Sequence, residues 1–186
     1  MKINKDDIDI MVSLLKENKV LALPTESVYG LSSVLEPKAV QKIMILKKRS
    51  HNKGFIVLSG EIEHLLSVID TSLLNDMQIA RLKKKHNRAT TWIVPVKPEF
   101  RWLTGQFDSI AVRLTSHPLL SELTLKLDRP IISTSANISD MPAATSAAEV
   151  KKYFADQVDY VYVQTNFVAA KPSRLINLLT EEVLRD

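Results

Sequence analysis

Hydroxyl and amide side chains follow a short apolar run late in the chain. Residues 131–132 are both isoleucine, and Ser133, Thr134, Ser135 and Asn137 come directly after them. Such side chains hold phosphate oxygens, or the polar ends of an amino acid, through neutral hydrogen bonds. They also close turns at strand ends, which is an equally ordinary use. This stretch alone leaves both a binding site and a capped strand end open.

Fixed cations and another hydroxyl stand at the ends of other predicted elements. An apolar run leads to Thr25. A predicted helix ends with Lys47 and Arg49, and Lys53 follows a few residues later. Arg113 lies near the end of a predicted strand. An arginine can fork two anionic oxygens, whereas a lysine acts as a point charge. A solvated basic helix end would carry the same residues. The combination favours a site for a small phosphorylated anion on an α/β scaffold.

The elements that must position these residues alternate along the chain. Hydrophobic spacing predicts helices over residues 7–17, 39–48, 73–85, 119–127 and 146–154, and strands over 20–23, 55–58, 91–96, 110–114, 130–132, 160–163 and 175–178. Asp6 is the predicted cap of the first helix, and Ser146 with Glu149 forms a predicted capping box. The alternation favours an α/β sheet with flanking helices. Strands 91–96 and 110–114 lack a helix between them, so we expect an antiparallel pair within a mixed sheet.

Composition narrows the class of protein. The chain has 186 residues, 45% of them hydrophobic, a formal net charge of +4 and no cysteine. This predicts one folded domain over residues 1–186 and excludes disulfides and thiolate metal sites. The first residues lack a hydrophobic signal region, and no apolar run reaches the roughly 20 residues of a membrane helix. We therefore expect a cytoplasmic protein with an anionic ligand or partner.

The order and spacing of these motifs resemble the YrdC-type family of threonylcarbamoyl-AMP synthases, in its short single-domain bacterial form. The matching stretches are residues 24–26, 29–30, 47–49, 101–105, 107–109, 111–113, 133–137 and 172–173. In this family residues 47–49 correspond to a Lys-x-Arg motif and residues 135–137 to a Ser-x-Asn motif. The resemblance implies a twisted mixed sheet with flanking helices around a positively charged cavity.

The resemblance also implies an activity. The family converts L-threonine, bicarbonate or CO2, and ATP into threonylcarbamoyl-AMP and pyrophosphate. A separate transferase complex then modifies adenosine 37 of tRNAs that read ANN codons. The expected cofactor is Mg²⁺ brought with ATP, with no tightly bound group. The expected partners are these small molecules and the transferase complex, with weak binding of tRNA or double-stranded RNA as a further possibility.

Roles for individual residues follow from the same resemblance. For catalysis it implies Lys47, Arg49, Ser135 and Asn137. For ATP it implies Arg49, Lys53, Ser109, Ser135, Asn137 and Arg185, and for threonine it implies Thr25, Thr91, Arg113, Ser133 and Ser173. Thr91 and Ser109 are equally suited to plain sheet positions. We assign no general base, because Glu26 beside Thr25 can serve simply to cap a turn.

The chain departs from the family pattern at several glycine positions, so alternative functions stay open. The chain has only 4 glycines, and Ser32 and residues 87–89 and 169–171 replace family glycines. Glycine permits positive φ and close approach to a ligand, so the affected loops must differ. Lys171 is a hypothetical extra cation at the cavity mouth. The alternatives are a non-catalytic partner subunit, or a binding module for structured RNA that uses the basic run over residues 81–88.

Overall fold

Short apolar runs form most of the strands, as their pattern predicts. A computed structural model describes residues 3–86 and 88–186, so residue 87 of the replaced segment 87–89 lies outside the described residues. The strands are β1 (Leu21–Pro24), β2 (Tyr29–Val34), β3 (Ile56–Ser59), β4 (Thr90–Pro95), β5 (Ser109–Leu114), β6 (Ile131–Ser135), β7 (Tyr160–Val161), β8 (Arg174–Asn177) and β9 (Val183–Arg185). The helices are α1 (Lys5–Lys16), α2 (Pro37–Lys47), α3 (Ile62–Leu66), α4 (Asp76–Lys83), α5 (Pro118–Leu127) and α6 (Ala147–Phe154). Three short 3-10 turns complete the list: Thr71–Leu73, Pro98–Leu103 and Ala155–Gln157.

The nine strands found in residues 3–86 and 88–186 join one mixed sheet. Their order is β7-β1-β2-β6-β3-β5-β4-β8-β9. The pairs β1/β7, β3/β5 and β4/β8 are parallel, and the remaining neighbours are antiparallel. The predicted mixed sheet is confirmed, and so is the antiparallel pairing of β4 with β5.

Helix starts differ from the sequence-based expectation because caps outside the apolar pattern decide them. The predicted cap Asp6 is wrong, since Asn4 Oδ1 accepts the Asp6 amide at 3.1 Å and α1 begins at Lys5. The predicted helix 73–85 is shorter at both ends, because Asn75 and Gln78 form a capping box that starts α4 at Asp76. Local side-chain to backbone bonds thus override hydrophobic spacing at these positions.

The predicted capping box at α6 is only half formed. The Ser146 hydroxyl accepts the Glu149 amide at 3.2 Å, as expected. The Glu149 carboxylate instead accepts the backbone amide and the hydroxyl of Thr145, at 2.6 and 2.9 Å. These bonds and the nearby charge of Lys152 lower the pKa of Glu149.

The hydrophobic pattern does not predict β2, α3 and β9. The stretch that forms β2 contains one glycine and two serines, so its residues do not alternate in hydrophobicity. It is nevertheless buried at every position, because β1 and β6 pair with it on both sides. Its extended conformation is therefore fixed by neighbours distant in sequence rather than by its own pattern.

Helices cover one face of the sheet over most of its area and the other face only in part. On the first face Val57 and Ile132 belong to a core that includes side chains of α2, α3, α4 and α6. On the second face Leu58 and Ile131 pack against α1 and α5. Alternate residues of a strand share a face, so Ile56, two positions before Leu58, lies on the second face as well. Beyond α1 and α5 this face opens into a cavity.

Candidate active site

The open part of the sheet forms the floor of a cavity of about 660 Å³, a volume typical of small-molecule sites. Five floor residues lie in register across five adjacent strands, and all of them line the cavity: Ser133, Ile56, Ala111, Ile93 and Asn177. The middle of this row is apolar and its two ends are polar. The floor can therefore support a flat or aliphatic ligand portion between two polar regions.

Arg49 and Ser135 mark one end of the cavity, which we call the Arg49 end. Both line it, together with Ser109 and Gly54. Arg49 Nη2 donates to the Gly54 carbonyl at 2.6 Å, and its guanidinium lies 5.0 Å from the centre of the Phe55 ring. Arg49 Nε is buried and has no acceptor among residues 3–86 and 88–186. Burial lowers the pKa of Arg49, but a guanidinium stays charged at neutral pH.

Lys47 lies behind this end of the cavity and does not line it. Lys48 takes a left-handed conformation at φ 48°, which ends α2 and turns the chain toward Arg49. The Lys47 ammonium donates to the carbonyls of Ser135 and Asn137, the latter at 2.8 Å, and to Asn137 Oδ1 at 3.1 Å. Only 1% of Lys47 is exposed. Its charge therefore holds the loop after β6 from below.

Asn137 is likewise engaged within this loop. Its Oδ1 accepts the Ser135 hydroxyl at 2.6 Å, and its Nδ2 donates to the carbonyls of Ile138 and Met141 at 2.9 and 2.6 Å. Of the four residues predicted to be catalytic, the structure brings Arg49 and Ser135 to the cavity. It places Lys47 and Asn137 directly beneath them, as supports of the Ser135 loop.

Arg113 marks the opposite end, which we call the Arg113 end. Thr91, Leu175 and Arg185 lie in register across β4, β8 and β9, and Arg113 follows Val112, the β5 partner of Trp92. Arg113 Nε donates to Thr91 Oγ1 at 3.0 Å, and its Nη2 donates to Ser173 Oγ at 2.9 Å. Arg113 lies four positions after Ser109 on β5, so the two ends are about 13 Å apart.

Glu26 supplies the charge that compensates Arg113. Its Oε2 lies 3.4 Å from Arg113 Nη1, and its Oε1 accepts the Thr115 hydroxyl. Burial alone would raise the pKa of Glu26, but Arg113 and the Thr115 bond lower it below its usual value. Burial lowers the pKa of Arg113 despite the nearby carboxylate. The pair is therefore ionised, with the carboxylate acting as a support for the arginine.

Arg185 and Ser173 complete the Arg113 end. Arg185 Nε donates to the Ser173 carbonyl at 3.0 Å and its Nη2 to the Ser173 hydroxyl at 3.2 Å. Both residues line the cavity, whereas the fully buried Thr91 does not. Burial also lowers the pKa of Arg185. Two arginines thus converge on one serine, and Thr91 orients the first of them.

Some of the remaining residues predicted to bind a substrate line the main cavity, and others lie outside it. Thr25 and Ser133 line the cavity. Lys53 does not, and its ammonium lies 3.6 Å from the carboxylate of Asp140 at the surface. Lys171 lies on a second, smaller cavity of about 290 Å³ that also includes Glu26 and Ser27. Lys53 and Lys171 therefore stand apart from the cations of the main cavity.

Two lining residues were missed as candidates. Asn177 ends the floor row on β8, and the half-exposed ring of Phe107 lies on the turn before β5. Phe107 belongs to a stretch that carries the family resemblance, so its position in that motif was the available signal. Asn177 had no such signal, because only the pairing of β8 with β4 brings it to the floor.

The cavity lining does not suit a metal held by protein alone. Its described residues include arginines and hydroxyls but no Asp or Glu. Across residues 3–86 and 88–186, no three His, Cys, Asp or Glu side chains are grouped as ligands of an ion.

In the same ranges, no helix has the length and hydropathy needed to cross a membrane.

Replacing Lys47 with methionine should test the support of the Ser135 loop. The change leaves three loop oxygens without their donor, and we expect a loss of about 1–3 kcal/mol in the free energy of unfolding. Burial, aided by Arg49 and Lys53, lowers the pKa of Lys47 to about 7. The unfolded lysine, near 10.5, then binds more protons between pH 7 and 10.5, so this residue makes stability rise with pH in that window.

Urea unfolding of wild type and Lys47→Met between pH 7 and 10 measures both effects. The difference in unfolding free energy should grow with pH. An unchanging difference would show that the loop oxygens keep the ammonium protonated throughout the range. An exposed neighbour, Lys48→Met, serves as the control and should show neither effect.

The arrangement defines an α/β protein with a ligand-sized cavity on one sheet face and arginine side chains at separate ends of that cavity. The Sua5/YciO/YrdC family, described as telomere recombination, matches residues 13–186. The chain belongs to this family.

Curated relatives match nearly the full length of the chain. A threonylcarbamoyl-AMP synthase of Actinobacillus succinogenes is 42% identical over 176 residues, which cover 92% of this chain and 94% of that one. A protein of the same name from Pasteurella multocida is 39% identical over 183 residues, covering 96% and 98%.

Solved structures share the fold. The P. abyssi Sua5 complex with L-threonine is 28% identical with a TM-score of 0.87, and the match covers 96% of this chain and 53% of that one. The E. coli YciO crystal structure is 22% identical with a TM-score of 0.80, covering 100% and 93%. The twisted mixed sheet with flanking helices that the sequence predicts is thereby confirmed.

Proposed function

We propose that this chain is a threonylcarbamoyl-AMP synthase, a nucleotidyltransferase that converts L-threonine, CO2 from bicarbonate, and ATP into threonylcarbamoyl-AMP and pyrophosphate. The observation that supports it is the single cavity with Arg49 at one end and Arg113 with Arg185 at the other. The N-carboxylate formed from threonine and CO2 is anionic, as is the triphosphate of ATP, and fixed cations at separate ends reduce their repulsion and align them. The names of the relatives agree with this activity.

The Arg113 end is the proposed threonine subsite. The arginine and Ser173 hold the α-carboxylate, since a guanidinium pairs two carboxylate oxygens in a fixed geometry. Ser133 offers a hydroxyl on the floor nearby. The neutral amine of threonine attacks CO2, forms an N–C bond and releases a proton to water, giving an N-carboxylate. Thr91 acts indirectly, because its hydroxyl is bonded to Arg113.

The Arg49 end is the proposed phosphate subsite. The new N-carboxylate oxygen attacks the α-phosphorus of ATP, and the bond to the β-phosphate bridging oxygen breaks as pyrophosphate leaves. In this proposal the Arg49 guanidinium, which lines the cavity, stabilises the charge that spreads over the phosphoryl oxygens. Ser135 and Ser109 add neutral donors, and Arg185 approaches from the opposite end. The geometry assigns no general base.

Lys47 and Asn137 serve this step as positioning residues in our proposal. They hold the loop that presents Ser135, so their removal should impair catalysis without removing a phosphate ligand. Lys53, paired with Asp140, is a surface cation near the mouth rather than a phosphate ligand. Both assignments differ from the expectation drawn from the resemblance, which gave Lys47 and Asn137 catalytic roles and placed Asn137 and Lys53 on the nucleotide.

ATP is a substrate, and we propose that it arrives with Mg²⁺. The lining offers hydroxyls and arginines but no carboxylate among its described residues, so it does not form a protein cage for this ion. Phosphate oxygens and water would hold Mg²⁺, and no step above depends on it. We propose no other cofactor.

The wider setting is also proposed. Residues 1–186 would form one YrdC-like domain located in the cytoplasm. The product would pass to a separate tRNA threonylcarbamoyl-transferase complex that modifies adenosine 37 of tRNAs reading ANN codons. These assignments are supported by the resemblance to the family.

Weak binding of tRNA or double-stranded RNA is a secondary proposal. Lys83 at the end of α4 and the following Lys84 and Lys85 are exposed. Arg81 and Arg88 in the same run are paired with Glu181 at 2.6 Å and Asp186 at 2.9 Å, which reduces the charge available to phosphates. Binding that survives loss of Arg49 but falls steeply with salt would favour RNA as the main ligand.

Product formation tests the proposed function directly. Purified protein is incubated with ATP, Mg²⁺, L-threonine and bicarbonate, and pyrophosphate release is followed while mass spectrometry detects threonylcarbamoyl-AMP. We expect product only when all three substrates are present. Pyrophosphate release that ignores threonine would indicate a different adenylating enzyme. A folded, ATP-binding protein without product would favour the non-catalytic subunit.

A further inference from the structure

The hydroxyl of Thr25 is fully used within its own turn. Its Oγ1 donates to the Val28 carbonyl at 2.8 Å and accepts the amides of Ser27 and Val28 at 3.2 and 3.4 Å. A hydroxyl has one donor and two acceptor positions, and all three are filled. Thr25 therefore has no hydrogen bond to offer a ligand, although the resemblance placed it among the residues that bind threonine.

The methyl group of Thr25 is fixed at the cavity instead. Thr25 Cγ2 lies 3.4 Å from the point where a Cβ on Gly30 would stand, and Ser133 Oγ lies 2.5 Å from the same point. All three residues line the cavity. The hydroxyl bonds lock the rotamer of this β-branched side chain. The absence of a side chain at Gly30 thus leaves a small space bordered by one methyl and one hydroxyl.

This space lies between the two ends of the cavity, since Gly30 pairs with Ser135 of the Arg49 end and the turn beside it reaches Arg113. Glu26, the residue after Thr25, contacts Arg113 Nη1 at 3.4 Å. The turn that fixes the methyl therefore also fixes the carboxylate that supports the arginine. An amino acid whose α-carboxylate is held by Arg113 would extend its short side chain toward Gly30. Threonine and serine differ by one methyl group at this position.

We propose that the Thr25 methyl, above Gly30, is the apolar contact that makes the site favour L-threonine over L-serine. The inference rests on the proposed function. The substrate methyl packs against Thr25 Cγ2, and the substrate hydroxyl reaches Ser133 Oγ. One methyl group in an apolar pocket discriminates by about 10- to 200-fold. A single methyl forms only part of a pocket, so its contribution lies near the low end, about tenfold.

Two near-isosteric variants separate the methyl from the hydroxyl. Thr25→Ser keeps the hydroxyl that closes the turn and removes only the methyl. We expect kcat/KM for L-threonine to fall about tenfold, with kcat/KM for L-serine within twofold of wild type. Thr25→Val keeps the methyl and removes the hydroxyl. We expect it to lower the Tm but to preserve the threonine-to-serine ratio.

Calorimetry without ATP gives the Kd values of wild type and both variants for L-threonine and L-serine. The ratio of these Kd values tests the preference for threonine without relying on turnover. Wild type that binds threonine but forms no product would overturn the proposed function and still leave the ratio of Kd values as a test of Thr25. Equal losses for both amino acids in Thr25→Ser, or no change for either, would overturn the inference. So would a folded Thr25→Val variant that no longer distinguishes the two amino acids.

Discussion

Arg49→Ala is expected to reduce kcat/KM for threonylcarbamoyl-AMP formation by about 10²- to 10³-fold, the loss typical when one fixed donor to a developing anion is removed. Its guanidinium is anchored by the Gly54 carbonyl and the Phe55 ring, so it is oriented before any ligand arrives. A guanidinium that is oriented before the ligand arrives needs little reorganisation during the reaction, and this is why we expect the effect to be large.

Two further variants isolate this effect. Lys48→Ala removes the neighbouring exposed charge and should leave kcat/KM within about twofold of wild type. Arg49→Lys retains the charge without the fork and should lie between wild type and alanine. Far-ultraviolet circular dichroism and Tm confirm that each variant is folded. A folded Arg49→Ala enzyme with near-normal kcat/KM would remove Arg49 from the proposed phosphate subsite.

Arg113→Met is expected to lower the free energy of unfolding by about 3–5 kcal/mol and to abolish threonine binding. The arginine is only 7% exposed, and its removal leaves the Glu26 carboxylate beside it without a counter-charge. Replacing both partners, in Glu26→Gln with Arg113→Met, should restore most of the stability because no buried charge remains. Threonine binding should stay lost. Urea unfolding and calorimetry measure the two quantities separately.

The difference in unfolding free energy between wild type and Arg113→Met should also depend on pH. In wild type the pKa of Glu26 is lowered by Arg113, so its contribution to stability is present above the unfolded pKa of about 4.5 and is lost as pH falls through the folded value. Without Arg113, burial dominates and raises the pKa of Glu26. The stability gap between wild type and Arg113→Met should therefore shrink as pH falls from 7 to 4.

Arg129→Met provides the control for loss of a buried partner. Arg129 is exposed at the end of α5, and its replacement should change the free energy of unfolding by less than about 0.5 kcal/mol. If Arg113→Met were no more destabilising than Arg129→Met at pH 7, the ion pair with Glu26 would not be a support of the site. Retained threonine binding in the double variant would instead exclude Arg113 from the threonine subsite.

Sequence patterns by themselves determined the class of fold and the chemical groups that meet. Alternating apolar runs predicted a mixed sheet with the antiparallel pair β4 and β5, because side-chain periodicity is a local property of each element. Polar residues at strand ends predicted hydroxyls and arginines in one site, and Arg49, Arg113, Ser133 and Ser135 all line the cavity. Strand β2 was not predicted, because its pairing with β1 and β6, rather than its hydrophobic pattern, makes it a strand.

Only the tertiary structure decided which polar groups are free to meet a ligand. Lys47 and Arg49 look alike in the sequence, yet the left-handed residue between them turns one beneath the loop and the other toward the cavity. The partners of Lys47 on the β6 loop lie 88 and 90 positions away. A buried polar group must find its hydrogen-bond partners wherever the fold supplies them, and no local pattern encodes partners so distant. The hydroxyl of Thr25 has local partners, but that its methyl faces the cavity depends on Gly30 and Ser133 of adjoining strands.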